Sequence, residues 1–196
     1  MRGVAGACWA LLFSVLCIGC SEPPQKEIDR AEGALDAARA AGAEQYAPAP
    51  FTAATEAMQE TYDAVRDRDY RLALSRAVDA NELALEAATE AANGRARARA
   101  EAEAAIARVE TAVRQLDERL KIADGSRLSR ADLDSARRLR LQADGALQEA
   151  RAAVANADYP AATAAMHDLP DRIAQEIRSL NEAIDARAGR GTRRRG

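Results

Sequence analysis

Few side chains of this sequence could carry acid–base chemistry. His167 is the only histidine, and it lies beside Asp168 in a polar stretch, so we interpret it as a surface or capping residue. Carboxylates are plentiful, but pairs such as Glu101 and Glu103 are two residues apart and diverge on a helix. The sequence contains no phosphate-binding loop, dinucleotide fingerprint or nucleophile elbow. We therefore expect no enzyme activity, no catalytic residue and no cofactor.

Metal and nucleic-acid sites are equally poorly supported. One histidine and no available thiol in the expected mature chain leave no nitrogen–sulfur metal site. Arg95, Arg97 and Arg99 could bind phosphates, but Arg97 points away from the other two on a helix. Glu101 and Glu103 follow four residues after Arg97 and Arg99. We interpret this stretch as a solvated, charge-paired helix and predict no metal and no nucleic-acid partner.

The first 19 residues have the pattern of an export signal. Arg2 supplies a positive charge, and residues 4–18 form an uncharged apolar run. A bilayer span needs about 20 apolar residues, so this shorter run followed by a small residue is typical of a signal peptide. Of the three cysteines, only Cys20 would remain after cleavage, and the mature chain would contain no disulfide.

The end of this segment, Leu16-Cys17-Ile18-Gly19-Cys20, resembles the lipobox of bacterial lipoproteins. The resemblance implies cleavage after Gly19 and lipidation of Cys20, whose acyl chains would anchor the protein to a membrane. Cys17 departs from the pattern, which usually has an aliphatic residue there. Ser21 is not the aspartate that favours inner-membrane retention in diderm bacteria, so the resemblance implies the outer membrane, facing the periplasm. An uncleaved or ordinarily cleaved signal, or a chance match, are the alternatives.

The rest of the chain has a strongly helical composition. Alanine makes up about a quarter of the full sequence and aromatic residues only 4%, which predicts an all-α fold with a thin core. A tether at 20–25 precedes helices predicted from Lys26 to near Gly42, over about 51–68, over about 70–122, and up to about 157. A last helix is predicted to kink at Pro170, because proline cannot donate a backbone hydrogen bond.

The long third helix carries a pattern close to a heptad seam. One register contains Val78, Leu85, Ala92, Ile106, Val113 and Leu120, and the other contains Leu74, Ala88, Ala102, Val109 and Leu116. Asn81, Arg95 and Arg99 interrupt the seam, and a break at Asn93-Gly94 is the alternative to one continuous helix. We interpret the alanine stripes mainly as bundle seam, and otherwise as a face for a helix of a partner or of a second copy.

An internal repeat appears when the chain is shifted by 89 residues. The shared string, A-x-x-A-x-x-E-x-x-x-A-V-x-x-x-D-Y-x-x-A, begins at Ala54 and again at Ala143. It predicts two helical hairpins with corners at Asp69-Tyr70 and Asp158-Tyr159, where Asp caps a helix and Tyr is largely buried. We therefore predict an elongated antiparallel bundle of two tandem three-helix units, 26–92 and 93–186, that share one long helix.

Residues 26–92 resemble a particular family. Ala47-Pro48-x-x-Phe51, the spaced alanines and Asp69-Tyr70-x-x-Ala73 are similar to an alanine-rich domain of unknown function in bacterial envelope lipoproteins. Some members of that family are joined to OmpA-like peptidoglycan-binding domains, and no such domain is recognisable here. The resemblance implies an envelope role and no catalytic residue.

The C-terminal residues 187–196 are basic. Arg187, Arg190, Arg193, Arg194 and Arg195 occur there without an acidic residue, whereas residues 20–186 carry 22 basic and 31 acidic side chains. Three glycines predict a disordered tail. One hypothesis is a solvated peptide without a role, and the other is contact between these arginines and an anionic envelope surface.

These observations favour a non-enzymatic, lipid-anchored structural or adaptor protein of the bacterial cell envelope that presents a long helical rod in the periplasm. The expected partners are the membrane, through acyl chains on Cys20, and peptidoglycan or an envelope protein, with self-association left open. The alternative is a helical peptide- or ligand-binding accessory subunit of an envelope assembly or transport machine.

Overall fold

The computed structural model describes residues 22–126 and 128–193, which form helices and no strand. The helices are α1 (Gln25–Ala40), α2 (Ala43–Tyr46), α3 (Pro48–Arg66), α4 (Tyr70–Gly125), α5 (Arg130–Ala155), α6 (Tyr159–Met166) and α7 (Leu169–Arg193). The predicted all-α helical bundle is confirmed.

Contacts divide the described chain into two compact units, one ending at Ala92 (unit 1) and one beginning at Asn93 (unit 2). Unit 1 contains α1, α2, α3 and the first part of α4, and unit 2 contains the rest of α4 with α5, α6 and α7. Helix α4 is unbroken over 56 residues, so the alternative of a break at Asn93-Gly94 is wrong. A single glycine costs only about 1 kcal/mol in a helix, which the surrounding alanine, glutamate and arginine residues outweigh.

The core of unit 1 is built mainly from alanine. Helix α1 contributes Ile28 and Leu35, and α3 contributes Phe51 and Met58. The face that α4 turns toward them consists of Ala73, Ala77, Ala80, Ala84, Ala87 and Ala91, each fully buried. Side chains this small leave little apolar area to bury, which agrees with the thin core expected from composition.

The core of unit 2 uses larger side chains. Its fully buried residues include Val109 and Leu116 of α4, Met166 of α6, and Ile173 and Leu180 of α7. Under the 89-residue shift, Leu169, Ile173 and Leu180 take the places of Ala80, Ala84 and Ala91. All six positions are buried. The two units therefore share core positions but not core side-chain volumes.

Two prolines begin helices instead of ending or bending them. Helix α3 starts at Pro48, three residues before the predicted Phe51. The predicted kink at Pro170 is wrong, because α6 ends at Met166 and a separate helix, α7, begins at Leu169. Proline suits the first turn of a helix, since its backbone angle is already helical and its missing N–H would have no intrahelical acceptor there.

The C-terminal segment differs from the predicted disordered tail. Helix α7 continues to Arg193, so the prediction is wrong for residues 187–193. Gly189 and Gly191 weaken a helix by about 1 kcal/mol each, but a helix already formed gains one backbone hydrogen bond for every residue added. Arg194 and Arg195 lie outside the described residues.

The same backbone motif ends α3 and α5. Arg68 and Ala157, 89 residues apart, adopt the left-handed conformation with φ of 62° and 59°. The next residue's N–H donates to the carbonyl five residues back, Asp69 to Ala64 and Asp158 to Ala153, at 2.9 Å in both cases. This is the Schellman ending of a helix, which most often has glycine at the left-handed position.

Ala157→Gly is expected to stabilise unit 2 by about 0.5–1 kcal/mol, because glycine adopts this conformation without the steric clash of a Cβ atom. Urea denaturation followed by circular dichroism measures the change. Ala152→Gly, on the exposed side of α5, is the control and should destabilise by about the same amount. An Ala157→Gly variant that is less stable than the parent would contradict the assigned backbone conformation.

Candidate interaction surface

The two hairpin corners have matching capping contacts. Asp69 Oδ1 accepts a hydrogen bond from the N–H of Leu72 at 3.0 Å, and Asp158 Oδ1 accepts one from the N–H of Ala161 at 3.2 Å. These bonds satisfy otherwise unpaired N–H groups in the first turns of α4 and α6. Both carboxylates therefore stabilise the starts of helices at the two corners.

The two corner tyrosines differ in burial. Tyr159 is 7% exposed and belongs to the core of unit 2, whereas Tyr70 is only half-buried. Both tyrosines therefore lie at the start of a helix, but only the ring of Tyr159 is enclosed by the core. Unit 1 has alanines around its core where unit 2 has larger side chains, so it offers less surface to cover a ring.

Several exposed apolar side chains of unit 1 form a stripe along α4. Leu74, Val78 and Leu85 are 42%, 42% and 54% exposed. Asn81 and Ala88 continue the stripe and are half-buried, and Ala92 is exposed. We call these six residues the α4 stripe. They are the first part of the heptad pattern in the sequence, but they lie beside the alanine face of the core and not within it.

Among the described residues, the large side chains of the heptad pattern are buried only in unit 2, although Ala88 packs against the core of unit 1. Val109, Val113 and Leu116 are the ones buried in unit 2. A heptad stripe drifts by about 20° per heptad around a straight α-helix, so the six heptads from Leu74 to Leu116 rotate it by roughly 120°. A pattern that faces solvent at one end of α4 can therefore face the core at the other. The residues of α4 that mark the core of unit 1 are the alanines. Their pattern is hard to recognise in the sequence because alanine side chains are small.

The α4 stripe is not a requirement of the repeated architecture. Under the 89-residue shift, Thr163, His167 and Ala174 take the places of Leu74, Val78 and Leu85. Unit 2 therefore has polar or small residues at these three positions, and its equivalent segment is divided into α6 and α7, with His167 in the turn between them. The large apolar side chains of unit 1 are therefore an added feature of its surface.

An acidic groove lies between α3 and α4, and of its lining only Glu82 borders the stripe. It has a volume of about 450 Å³, and its polar lining is Glu56, Glu60, Asp79, Glu82 and Glu86 with Arg76. The Arg76 guanidinium lies 2.8 Å from Glu60 and 3.3 Å from Asp79, so its charge is already shared between two carboxylates. Residues 22–92 carry seven basic and 15 acidic side chains, a formal charge of −8.

Tyr62, also exposed in unit 1, has a different role from the stripe residues. Its hydroxyl donates a hydrogen bond to Glu32 Oε1 at 2.7 Å and so joins α3 to α1. Partial burial and the neighbouring Glu32 carboxylate raise the pKa of Tyr62 to about 12. The tyrosine therefore stays neutral and continues to donate through the physiological pH range.

A second, polar groove of about 530 Å³ lies between α5 and α7, with Arg138 and Arg172 on its walls. Much of its polar lining is paired internally. Ser135 donates to Glu176 at 2.6 Å, and Arg172 donates to Gln142 at 2.7 Å. A ligand in this groove would compete with these contacts.

The remaining predicted site residues are dispersed. Gly19 and Cys20 lie outside the described residues. Arg187 is exposed on α7, and Arg190 and Arg193 lie in the same helix. His167 is exposed, 3.7 Å from Asp168 at the start of the turn between α6 and α7. These residues do not come together in one site.

Three further findings bear on function. Within residues 22–126 and 128–193, no group of three His, Cys, Asp or Glu side chains is arranged to hold a metal ion. No helix in this part of the chain is long and apolar enough to cross a bilayer. No protein-family model, curated protein or solved structure matches the chain.

Proposed function

We propose that this chain is a non-enzymatic adaptor of the bacterial cell envelope, anchored to the outer membrane by lipid on Cys20 and presenting a helical body in the periplasm. The observation that carries the adaptor role is the α4 stripe. Contiguous exposed apolar surface on a folded domain usually marks an interaction site. The apolar run that ends at Gly19-Cys20 supports the anchor.

Ion pairs between α4 and α5 in unit 2 support a structural role for the helical body. Arg137, Arg140 and Arg151 of α5 pair with Asp124, Asp117 and Glu110 of α4, at 2.8, 2.7 and 2.6 Å. Arg140 also pairs with Asp144 of its own helix. Its two carboxylate partners, Asp117 foremost, raise the pKa of Arg140 further. Each such pair contributes at most about 1 kcal/mol at a protein surface, but together they fix how α5 lies on α4.

Lipidation is expected to depend on Cys20 alone. Intact mass measurement of the protein extracted from membranes should show a chain that begins at Cys20 and carries acyl groups. Cys20→Ser should remove both features, because serine has no thiol for the thioether bond. Cys17→Ser is the matched control and should leave the lipidated product unchanged. Unlipidated wild-type protein, or a mature N-terminus at another residue, would contradict the anchor.

A peptide- or ligand-binding accessory subunit is the second candidate function. The groove between α5 and α7 favours it, because Arg138, Arg172 and the apolar Leu139 all line it. Arginine binds carboxylate and phosphate groups in pairs of hydrogen bonds. Titration with carboxylated peptides, comparing the parent with Arg138→Gln, would distinguish this function from the adaptor role.

A further inference from the structure

We propose that unit 2 has a binding site for an arginine side chain, in which Glu149 and Asp168 hold the guanidinium group. The site goes beyond the adaptor role, because it lies on α5, α6 and α7 and needs neither the α4 stripe nor a lipid anchor. The inference comes from the internal repeat, since unit 1 contains the equivalent pair of carboxylates with an arginine of its own bound to both.

Unit 1 shows what this pair of carboxylates binds. Glu60 of α3 and Asp79 of α4 both line the acidic groove. The Arg76 guanidinium lies 2.8 Å from Glu60 and 3.3 Å from Asp79, so the arginine joins the two helices across the groove. A guanidinium suits this position because it is always charged and its planar fork presents several N–H donors to carboxylate oxygens.

Unit 2 keeps the two carboxylates but not the arginine. Under the 89-residue shift, Glu149 and Asp168 take the places of Glu60 and Asp79, and Ala165 takes the place of Arg76. The turn between α6 and α7 interrupts this part of the repeat, yet all three residues of unit 2 line one groove of about 460 Å³. Unit 2 therefore retains both acceptors of an arginine in one groove, without the side chain that binds them in unit 1.

No other cation of unit 2 replaces that arginine. Within the described residues, neither Glu149 nor Asp168 forms an ion pair with a lysine or an arginine, and Asp168 lies 3.7 Å from the adjacent His167. Arg172 also lines the groove, but its guanidinium donates to Gln142 at 2.7 Å. Both carboxylates are exposed, so a cation from outside the chain can reach them.

The rest of the groove suits the apolar part of an arginine side chain. Its lining includes Gly145, Ala146, Ala164 and Leu169. Gly145 takes the place of Glu56, and a Cβ atom added there would contact no neighbouring helix. Packing therefore does not require this glycine, which weakens a helix relative to alanine, and its effect is to leave open space in the groove. The three methylene groups of arginine favour contact with small apolar side chains of this kind.

The test measures binding to the full chain in phosphatidylcholine nanodiscs. The probe is a fluorescein-labelled peptide amide of sequence Gly-Ala-Arg-Ala-Gly, and its control contains citrulline, the uncharged analogue of arginine. Fluorescence anisotropy should show saturable binding of the arginine peptide that weakens with added salt, because exposed ion pairs are screened. The citrulline peptide should not bind. Competition with free L-arginine identifies the source of the group: equal affinity indicates a small ligand, and affinity at least tenfold weaker indicates an arginine of a partner protein.

Three variants assign the binding to this groove. Ala165→Arg restores the arrangement of unit 1 and should weaken binding at least tenfold, because the added arginine pairs with both carboxylates. Ala161→Arg is the matched control, since it adds the same charge at an exposed position of α6 outside the groove lining, and it should bind within about twofold of the parent. Glu149→Gln should weaken binding by up to about fivefold, the equivalent of one exposed ion pair. Circular dichroism should show all three variants folded.

Three results would each overturn the proposal: a parent chain that does not bind the arginine peptide, a citrulline peptide that binds as tightly, or equal binding by Ala165→Arg and Ala161→Arg. If Ala165→Arg does not fold, Glu149→Gln decides, and binding equal to that of the parent would overturn the proposal. None of these results bears on the lipid anchor or the α4 stripe, so the proposed adaptor function stands or fails separately.

Discussion

Ile173→Ala is expected to destabilise unit 2 by about 2–5 kcal/mol, the usual range when a buried isoleucine becomes alanine. Ile173 is fully buried on α7, so truncation removes apolar contacts and leaves a cavity that the neighbouring helices fill only in part. Urea denaturation followed by circular dichroism measures the loss, with the slope of the transition showing whether both units unfold together. An unchanged midpoint would contradict the burial of this side chain.

The reciprocal change tests the other unit. Ala84 is the 89-residue equivalent of Ile173 and is fully buried. Ala84→Ile is expected to destabilise unit 1 by about 1–3 kcal/mol, because the closely packed alanine core has no space for three added carbons. Leu85→Ala, at the next residue but exposed, is the control and should change stability by no more than about 0.5 kcal/mol. Stabilisation by Ala84→Ile would show that the unit 1 core contains unfilled space.

Tyr159→Ala is expected to destabilise the protein by about 3–5 kcal/mol, the range for truncating a buried aromatic ring. Tyr159 lies in the core at 7% exposure, whereas Tyr70 at the equivalent corner is half-buried. Tyr70→Ala should therefore have a clearly smaller effect. At roughly 2–4 °C per kcal/mol for a chain of this size, the Tyr159 variant should melt about 6–20 °C below the parent.

Tyr159→Phe is the control for the Tyr159 ring. It keeps the apolar ring in place, so most of the stability lost in Tyr159→Ala should return. Equal losses for Tyr70→Ala and Tyr159→Ala would contradict the difference in burial between the two corners. A Tyr70 variant that melts below the Tyr159 variant would contradict it more strongly.

Much of this fold could be predicted from local patterns. The alanine content and the apolar spacing of Ile28, Ala31, Leu35 and Ala38 predicted α1 and its buried face, and all four residues are buried. The Asp-Tyr pairs mark the starts of α4 and α6. These features depend on backbone propensity, capping and hydrophobic spacing, which act over one or two helical turns.

Helix ends were less predictable where two local signals competed. The helix end predicted near Gly42 is confirmed, since α1 ends at Ala40, but the kink predicted at Pro170 is the beginning of α7, and the disorder predicted after Arg187 is a continuation of that helix to Arg193. Proline and glycine can stand at the beginning or at the end of a helix. Which of the two occurs depends on the neighbouring helices, because a helix is extended most easily from turns that are already packed against them.

The sequence by itself determined that the chain is helical, where its hairpins turn and which residues could form a seam. Only the tertiary structure decided which side of α4 faces the core. Two apolar series run along that helix, one of alanines and one of leucines and valines, and hydrophobicity favours burying the larger side chains. Packing against α1 and α3 instead buries the alanines and leaves Leu74, Val78 and Leu85 exposed, because the choice depends on how closely three helices approach, which no local pattern specifies.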